Sequence, residues 1–421
     1  MTSPLVRGVQ DAVRRVSGAF VSPSIEARLL PGMGMGVVAR EPIPKDTLIF
    51  QASRDVWYPF SAEFALHEAQ QKAPGFVKQL DTLFASSNMF KDRTSFLPNA
   101  IVLGTHLAMS QGAPAPSHPT TITDAYIPSL PEFIDLPFYW DEQQFKALEA
   151  CEEVRQSIQQ SAQLYLQIYQ HLFGANNQMV APETFFWAIS ILMSRATSGK
   201  AQPFTLIPFF DWFNHSDSSN ECVHEYDSQR GFVVHTARDY QANEQLFINY
   251  GHHSNTRLLR NYGFTLSENP YDQVNLTLPV DLQRLDQNDP HITDKQAILN
   301  ALRMPPGARA LTFSSEGRLA PSSHQWLLLR LAEPAEMAKL INSATQGDPS
   351  ADNRNAALEK RVGAHVHQLA QMRLGQHETS VEDDAQFLQL HEQQMASWMR
   401  SALHIRLSEK RILQKVFDNS A

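Results

Sequence analysis

Cysteine is scarce in this sequence of 421 residues, which contains only Cys151 and Cys222. The two residues lie far apart and form no Cys-x-x-Cys pair, so the sequence supports neither a disulfide framework nor a structural zinc site. We therefore expect no bound metal. The scarcity of cysteine also fits a reducing compartment.

Long apolar runs and an excess of positive charge are also missing. No apolar segment is long enough to span a bilayer, so membrane insertion is not expected. The 35 lysines and arginines are outnumbered by 44 acidic residues, which gives a formal net charge of -9 and a pI near 6.0. Because proteins bind nucleic acid largely through basic residues that contact phosphates, we expect no nucleic-acid partner.

The first 20 residues contain three arginines, Arg7, Arg14 and Arg15, and a single acid, Asp11. This composition is compatible with a transit peptide, whereas the apolar region of a secretory signal is missing. We expect a monomer in the cytoplasm or nucleus, with import into an organelle as the alternative location.

The length and the composition, with 43% hydrophobic and 19% charged residues, indicate a globular chain of two or three domains. Residues 22–53 and 205–250 are rich in β-branched and apolar residues between turn signals, which predicts short strands. Residues 54–110 predict helices. After about Pro279 the chain becomes rich in Gln, Leu, Ala and Glu with helical periodicity, which predicts a separate all-helical domain.

Three segments connect the two strand-rich regions. The segment "QGAPAPSHPTT" (111–121) predicts a polar loop, because it contains three prolines. Apolar residues at helical spacing predict a long helix within residues 141–173 and a second helix in "APETFFWAISILMSRA" (181–196). These helices precede the second strand-rich region.

The glycine cluster Gly32, Gly34 and Gly36 has three interpretations. A phosphate-binding loop is disfavoured, because no strand-to-helix unit follows and no Lys-Ser/Thr pair is present. The glycines could instead allow positive backbone dihedrals in a loop between strands. Alternatively, their missing side chains could let a ligand lie against the backbone. This segment alone does not decide among the three.

The stretch "IPFFDWFNHSDSSNE" (207–221) runs from an apolar block into Asp211, Asn214 and His215. Short polar residues after an apolar run are common in turns and helix caps, because their side chains bond neighbouring backbone N–H groups. A functional site is the alternative. The composition of the stretch favours the capped turn.

A second polar cluster lies in "EQLFINYGHHSNTRLLRNYGF" (244–264). Tyr250 ends a strand-like run, where a tyrosine commonly finds water for its hydroxyl. His252 and His253 are poor metal ligands, because adjacent side chains on an extended chain point to opposite faces and no further ligands follow at suitable spacing. Arg195, in "MSRATSG", is typical of a helix C-terminus.

Taken together these segments resemble one family. A Gly-x-Gly loop, "SRA" at a helix end, "DWFNHS" and "EQLFINYGHHSNTRLLRNYGF" occur in the order found in SET-domain protein methyltransferases. Within that family the sequence is most similar to the subgroup of the Rubisco large-subunit lysine methyltransferase and the actin-histidine methyltransferase. "IPSLPEFIDLPFYWDEQQFKAL" resembles the insert of this subgroup, and "RLSEKRILQKVF" resembles the end of its helical substrate-binding domain.

The resemblance implies an α+β protein. We predict a β-rich SET domain over residues 22–279, with a helical insert over about residues 54–204. An all-α substrate-binding domain would follow over residues 280–421. We expect a protein substrate, bound partly through this C-terminal domain.

The resemblance also implies the site residues. S-adenosyl-L-methionine would be the cofactor, Asn214 and His215 would hold its adenosyl end, and Arg195 would neighbour its methionine carboxylate. Tyr250 would be the catalytic tyrosine and would also border the cofactor. The remaining implied residues are Gly34, Met35 and Gly36, which would contact the cofactor through the backbone, and Phe210, Asp211 and His253, which would border the substrate.

The resemblance implies the identity of the substrate side chain less directly. Phe210 stands where the histidine-modifying relative has a tryptophan, and His252 and His253 stand where relatives carry other residues. The "SRATSG" segment resembles the lysine-modifying members, so we favour lysine methylation over histidine methylation. A scaffold with the SET fold that binds a protein without catalysis is the alternative from another class.

Overall fold

The structure is a computed structural model that describes residues 4–111, 120–174, 180–199, 202–305, 307–334, 336–337, 356–392 and 394–420. The chain divides into two compact units. Unit 1 comprises Met1–Leu136, Gln160–His252 and Asn261–Gly263, and unit 2 comprises Pro137–Gln159, His253–Arg260 and Phe264–Ala421. The domain bounds predicted from the sequence, 22–279 and 280–421, stay predictions.

The helices are labelled α1 to α15 in chain order. Their bounds are Pro4–Arg15, Arg54–Trp57, Ala62–Lys72, Pro74–Ala85, Phe96–Ser110, Ile122–Tyr126, Glu142–Lys146, Glu152–Phe173, Pro182–Arg195, Asn255–Tyr262, Ile292–Ala301, Pro321–Leu331, Ala356–Leu374, Val381–His391 and Ser397–Asn419.

The strands are labelled β1 to β12. Their bounds are Phe20–Val21, Ile25–Leu30, Gly34–Ala39, Leu48–Ala52, Thr197–Gly199, Gln202–Thr205, Asn214–His215, Val223–Asp227, Gly231–His235, Gln245–Ile248, Gln273–Thr277 and Ala310–Ser314. Unit 1 contains two four-stranded sheets, with strand orders β1-β4-β9-β8 and β2-β3-β10-β7. It also contains the pair β5-β6, and unit 2 contains the pair β11-β12.

Aromatic side chains fill the core of unit 1 beside the first sheet. Phe50 on β4 lies opposite Val234 on β9, and its ring stacks on the ring of Phe209 with centroids 5.7 Å apart. All three side chains are fully buried. Burying one such side chain stabilises the fold by about 1.5–3 kcal/mol relative to leaving it exposed.

The helical segment of unit 1 packs closely because one position carries no side chain. Helix α5 contains Gly104, and a β-carbon placed there would lie 3.0 Å from Cδ1 of Ile189 on α9. A larger residue at this position would therefore require the side chain of Ile189 to shift. The predicted helices in residues 54–110 and 181–196 are confirmed as α2 to α5 and α9.

The strand predictions for residues 22–53 and 205–250 are confirmed, with one correction. We expected the apolar block Ile207–Phe210 to be a buried strand, but it forms a turn that leads into a short 3₁₀ helix over Phe210–Trp212. Pro208 has no N–H to donate to a sheet, and Phe209 adopts a positive φ of 72°. The apolar side chains are buried as expected, although the backbone is not extended.

The run 141–173 contains two helices rather than one. α7 ends at Lys146, and α8 begins at Glu152. Between them Glu149 has a positive φ of 47°, which interrupts the helical backbone. Residues 112–119 of the predicted loop lie outside the described residues.

Unit 2 has a core of its own between helices and the β11-β12 pair. Helix α14 begins with a capping box, in which Ser380 and Asp383 each bond the other's backbone N–H. The C-terminal region is helical as predicted, but β12 adds a strand that its helical periodicity did not indicate. The fully buried side chains of this core include Leu311, Phe313, Leu327, Leu329, Ala370 and Leu413.

Within the part of the chain that the structure describes, the helices are too short or too polar to cross a bilayer.

Candidate active site

Three strands of the second sheet bring the predicted site segments of unit 1 together. β10 pairs in parallel with β7, which places Phe247 opposite Asn214 and Ile248 opposite His215. β3, which begins with Gly34, pairs with the other edge of β10 in the antiparallel direction. The glycine loop and the Asn-His pair therefore lie on either side of one strand.

Gly36 is adjacent to both of these segments. A β-carbon at this position would lie 2.6 Å from Oε1 of Gln245 and 3.0 Å from Nδ2 of Asn214. Neighbouring side chains therefore fill the space beside Gly36, and contact between a ligand and this backbone stays a prediction. Gly34, at the start of the strand, has a φ of 72°, a conformation that glycine adopts easily.

The side chain of Asn214 is oriented by Gln245, which sequence reasoning did not single out. Nδ2 of Asn214 donates to Oε1 of Gln245 over 2.9 Å, and Nε2 of Gln245 contacts Sδ of Met33 at 3.6 Å. Because the amide nitrogen of Asn214 is occupied by this bond, its Oδ1 is left as an acceptor.

His215 and Tyr250 form a stacked pair. The backbone N–H of Tyr250 donates to Nδ1 of His215 over 3.1 Å, so the neutral imidazole carries its proton on Nε2. The two ring centroids lie 5.1 Å apart, and the ring of Tyr262 stacks on Tyr250 at the same distance. Tyr250 is therefore held between two rings.

The hydroxyl group of Tyr250 has a defined direction. It donates to the backbone carbonyl of Phe213 over 2.7 Å, directly before the Asn-His pair. Burial raises the pKa of Tyr250, and the neighbouring Tyr262 and Asp211 add to the rise while Arg195 opposes it. The hydroxyl therefore stays protonated at neutral pH and acts as a hydrogen-bonding group.

Arg195, at the end of α9, forms a buried ion pair with Asp211. Nη1 of Arg195 donates to Oδ2 of Asp211 over 3.0 Å and to the backbone oxygen of Asp211 over 3.1 Å. The hydroxyl of Tyr126 donates to the same Oδ2 over 2.9 Å. Burial raises the pKa of Asp211, although the charge of Arg195 and the bond from Tyr126 favour its ionised form.

Two polar atoms of this ion pair lack partners. Nε of Arg195 and Oδ1 of Asp211 are buried and make no hydrogen bond within the described residues. An unpaired buried polar group of this kind costs about 1–3 kcal/mol. One donor and one acceptor of the pair are therefore unused within the described residues.

The remaining predicted site residues lie in different surroundings. Phe210 is buried in the aromatic core, with its ring centroid 6.0 Å from that of Phe50 and 5.5 Å from that of His224. Met35 lies on β3 opposite Leu29. His253 belongs to unit 2, where its backbone oxygen accepts a hydrogen bond from Nδ2 of Asn269, and its substrate role stays a prediction.

The stability of the fold should depend on pH through His224. Burial lowers the pKa of His224 below its ordinary value of about 6.5. As pH falls, the unfolded chain therefore takes up this proton at a higher pH than the folded protein does. The free energy of unfolding decreases as pH drops below about 6.5, and the decrease ends below the pKa of His224 in the folded protein. We expect urea unfolding at pH 7.5 and 5.5 to show that His224→Gln loses less free energy of unfolding at the lower pH than wild type does. Equal losses would contradict this account.

Sequence reasoning missed three residues of this site. Gln245 lies within the quoted "EQLFINYG" segment, but nothing local indicated that it pairs with Asn214. Tyr262 lies in the second Asn-Tyr-Gly tripeptide, and the repetition of this tripeptide was a signal that could have identified it. Tyr126 is separated from Asp211 by 85 positions, so only the tertiary structure brings it into the site.

Two stretches of the chain match known protein families. The model of the SET domain matches residues 34–251, and the model named Rubisco LSMT substrate-binding matches residues 286–413. Actin-histidine N-methyltransferases of Gallus gallus and Homo sapiens are 25% and 24% identical over 355 residues, which is 79% of this chain. The chain spans about 57% of the length of these curated relatives.

Solved structures share the fold at low sequence identity. The SET domain of LSMT bound to lysine and AdoHcy aligns with a TM-score of 0.73, at 20% identity, over 99% of this chain and 91% of that chain. Rubisco LSMT bound to AdoMet aligns with a TM-score of 0.70, at 20% identity, over 99% and 92%. The SET match covers more than half of the chain, and the chain therefore belongs to the SET-domain protein methyltransferase family, in the subgroup with a Rubisco LSMT substrate-binding domain.

Proposed function

We propose that this protein is an S-adenosyl-L-methionine-dependent protein N-methyltransferase that methylates a lysine side chain. The observation that carries the proposal is the placement of Tyr250. Its hydroxyl is held at the carbonyl of Phe213 and its ring on His215, beside the strand pair that contains Asn214. A catalytic constellation needs groups that are held in place by packing before the reaction begins.

The residues present fit the cofactor. A β-carbon at Gly34 would meet nothing within 4 Å, so the backbone at the start of β3 is open to a ligand. Oδ1 of Asn214 is an acceptor suited to an amino group. The unpaired Nε of Arg195 is a donor suited to a carboxylate. When bound, S-adenosyl-L-methionine supplies a methyl group on a sulfonium, which is already activated for transfer.

Tyr250 orients the nucleophile in this proposal. Its proton is directed at the carbonyl of Phe213, so the lone pairs of Oη remain to accept an N–H from the substrate amine. The buried ring of His215 and the half-buried ring of Tyr262 both stack on the ring of Tyr250 and fix the position of its hydroxyl. Because its pKa is raised, Tyr250 does not serve as a general base at neutral pH.

The substrate lysine must be neutral to act as a nucleophile, although its reference pKa is about 10.4. Burial disfavours its charged form. Arg195 adds a positive charge, while Asp211 largely neutralises Arg195 through the ion pair at 3.0 Å. The unpaired Oδ1 of Asp211 could accept a hydrogen bond from a substrate or cofactor amine.

A histidine substrate is the second candidate, because the curated relatives are actin-histidine N-methyltransferases. We favour lysine because "SRATSG" resembles the lysine-modifying members. The structural neighbours are Rubisco LSMT, one of them bound to monomethyllysine. Their 20% identity supports the fold and leaves the substrate to experiment.

The C-terminal region is proposed to bind the protein substrate, as the name of the family model that matches residues 286–413 suggests. We infer a monomer that acts in the cytoplasm or nucleus. A scaffold without catalysis is less favoured, because Tyr250, Asn214, His215 and Arg195 are all present.

The direct test uses the purified full-length chain, cell extract and cofactor with an isotopically labelled methyl group. Mass spectrometry of digested proteins would then identify the labelled side chain, and we expect lysine. Label on histidine would support the second candidate and reject lysine. No label above that of a Tyr250→Phe control would support the scaffold.

The bond between Asn214 and Gln245 predicts a graded effect on cofactor affinity. Gln245→Ala should weaken binding of S-adenosyl-L-methionine by about 5-fold, the scale of one hydrogen bond of ~1 kcal/mol, because Asn214 is no longer oriented. Gln245→Glu keeps an acceptor for Nδ2 of Asn214 and should lose less affinity. Calorimetry would compare the two variants, and equal losses would argue against an orienting role.

A further inference from the structure

Unit 2 contains a chain of ion pairs that the proposed reaction does not use. It links Glu153 to Arg373, Arg373 to Glu409, Glu409 to His377, and His377 to Glu149. It continues from Glu149 to Arg406, then to Asp384 and Lys410. Most of these side chains are buried, and charges removed from water in this way require close compensation.

Three potential metal ligands converge inside this network. One ligand atom from each of Cys151, His377 and Glu409 lies within 4.8 Å of the others. Cys151 is fully buried, and the side chains of His377 and Glu409 are 1% and 5% exposed. A thiolate, an imidazole and a carboxylate are all ligands that Zn²⁺ accepts.

Two atoms at this position lack hydrogen bonds. Nδ1 of His377 and Oε2 of Glu149 are buried and make none within the described residues, although they lie only 3.7 Å apart. Glu149 is held there with a φ of 47°, a conformation that costs energy in a residue with a β-carbon. A metal-bound histidine commonly donates its second N–H to a carboxylate, and Glu149 is placed for that role.

The charges of the network do not balance. Four acids, Glu149, Glu153, Asp384 and Glu409, face three bases, Arg373, Arg406 and Lys410, which gives a net charge of -1 with neutral His377 and Cys151. Ionising Cys151 and adding one divalent cation would bring five negative charges against five positive charges.

We propose that Cys151, His377 and Glu409 bind one divalent transition-metal ion, with Zn²⁺ as the best match, and that Glu149 accepts the second N–H of His377. On binding, the S–H bond of Cys151 breaks, a bond from sulfur to the metal forms, and the proton leaves to solvent. No electron is transferred. The site joins the segment before α8 to the segment after α13 and to α15, so the ion would stabilise unit 2.

A proton in place of the metal ion would also balance the charge of this network. A proton on His377 would also bring the net charge to zero, and it could bond both Glu149 and Glu409. That alternative requires no metal and leaves the thiol of Cys151 bonded to Glu409. The metal proposal is favoured because three different ligand atoms lie within 4.8 Å of one another and because Nδ1 of His377 faces the unpaired Oε2 of Glu149.

Titration with Co²⁺ distinguishes a metal ion from a proton at this position, because a thiolate bound to Co²⁺ gives a charge-transfer absorption in the near ultraviolet. The full-length protein would be treated with a chelator and titrated with Co²⁺ and then with Zn²⁺. We expect one equivalent of Co²⁺ to produce this band, Zn²⁺ to abolish it by displacement, and Zn²⁺ to raise the Tm. A wild-type protein with no thiolate band and a Tm insensitive to metal and chelator would overturn the proposal in favour of the proton.

Matched variants locate the site. Cys151→Ser should lose the band, whereas Cys222→Ser, which changes the other buried cysteine, should retain it. Glu149→Gln should bind Zn²⁺ about 10–100-fold more weakly, the usual effect of removing a carboxylate partner of a metal-bound histidine. A band that persists in Cys151→Ser, or unchanged affinity in a folded Glu149→Gln protein, would contradict this ligand set. The wild-type titration stands even if a variant does not fold.

Discussion

Tyr250→Phe is expected to keep the fold and near wild-type affinity for S-adenosyl-L-methionine while losing methyl transfer by about 10-fold or more, the scale of one lost hydrogen bond. The phenyl ring can still stack between His215 and Tyr262 at the observed distances of 5.1 Å. What disappears is the hydroxyl that bonds the carbonyl of Phe213. In the proposed mechanism this hydroxyl also orients the nucleophile. Interactions made mainly in the transition state lower kcat when they are removed.

Single-turnover kinetics at saturating cofactor would measure this loss without interference from product release. Tyr226→Phe is a suitable control, because its ring also packs against aromatic neighbours, Trp57 and Phe232, and it lies outside the proposed site. We expect the control to retain its rate. A well-folded Tyr250→Phe protein with the wild-type rate would move the catalytic role elsewhere and support the scaffold.

Asn214→Ala and His215→Ala should each weaken cofactor binding strongly. Each removes polar contacts in a buried site, worth about 1–3 kcal/mol, which corresponds to a loss of affinity of roughly 5-fold to 150-fold. Asn214→Ala also leaves Oε1 of Gln245 without the donor that lies 2.9 Å away. His215→Ala removes both the acceptor for the N–H of Tyr250 and the ring on which Tyr250 stacks.

Calorimetry with S-adenosyl-L-methionine would measure both variants after circular dichroism has shown that they fold. Asn220→Ala, an exposed position five residues after His215, provides the matched control and should bind normally. His215→Ala should reduce turnover as well as affinity, since it also supports Tyr250. Wild-type affinity in both variants would reject the assignment of this pair to the cofactor.

Much of the fold follows from the order of local patterns. The turn signals around Gly34 and Gly36 and the apolar runs at Gly231–His235 and Gln245–Ile248 predict strands, because alternation and turn residues act within a few positions. The helical spacing in Pro182–Arg195 predicts α9 in the same way. The motifs that resemble the SET family are also short segments, so the sequence places Arg195, Asn214, His215 and Tyr250 without reference to tertiary contacts.

The block Ile207–Phe210 shows where local patterns fail. Its apolar residues predict a strand, yet tertiary packing selects a turn with Phe209 at a positive φ. Burying Phe209 against Phe50 offsets the cost of that backbone conformation. Hydrophobicity determines that the block is buried, while the shape of the core determines its path.

The partners of the site residues depend on the tertiary structure, because they come from distant parts of the chain. Gln245 reaches Asn214 only through the parallel pairing of β10 and β7, and Tyr126 reaches Asp211 only through packing in unit 1. The convergence of Cys151, His377 and Glu409 is likewise absent from any local motif. The sequence by itself determined most of the elements and the family, since these depend on neighbouring residues. The directions of the buried side chains were decided by packing, which a single local segment does not contain.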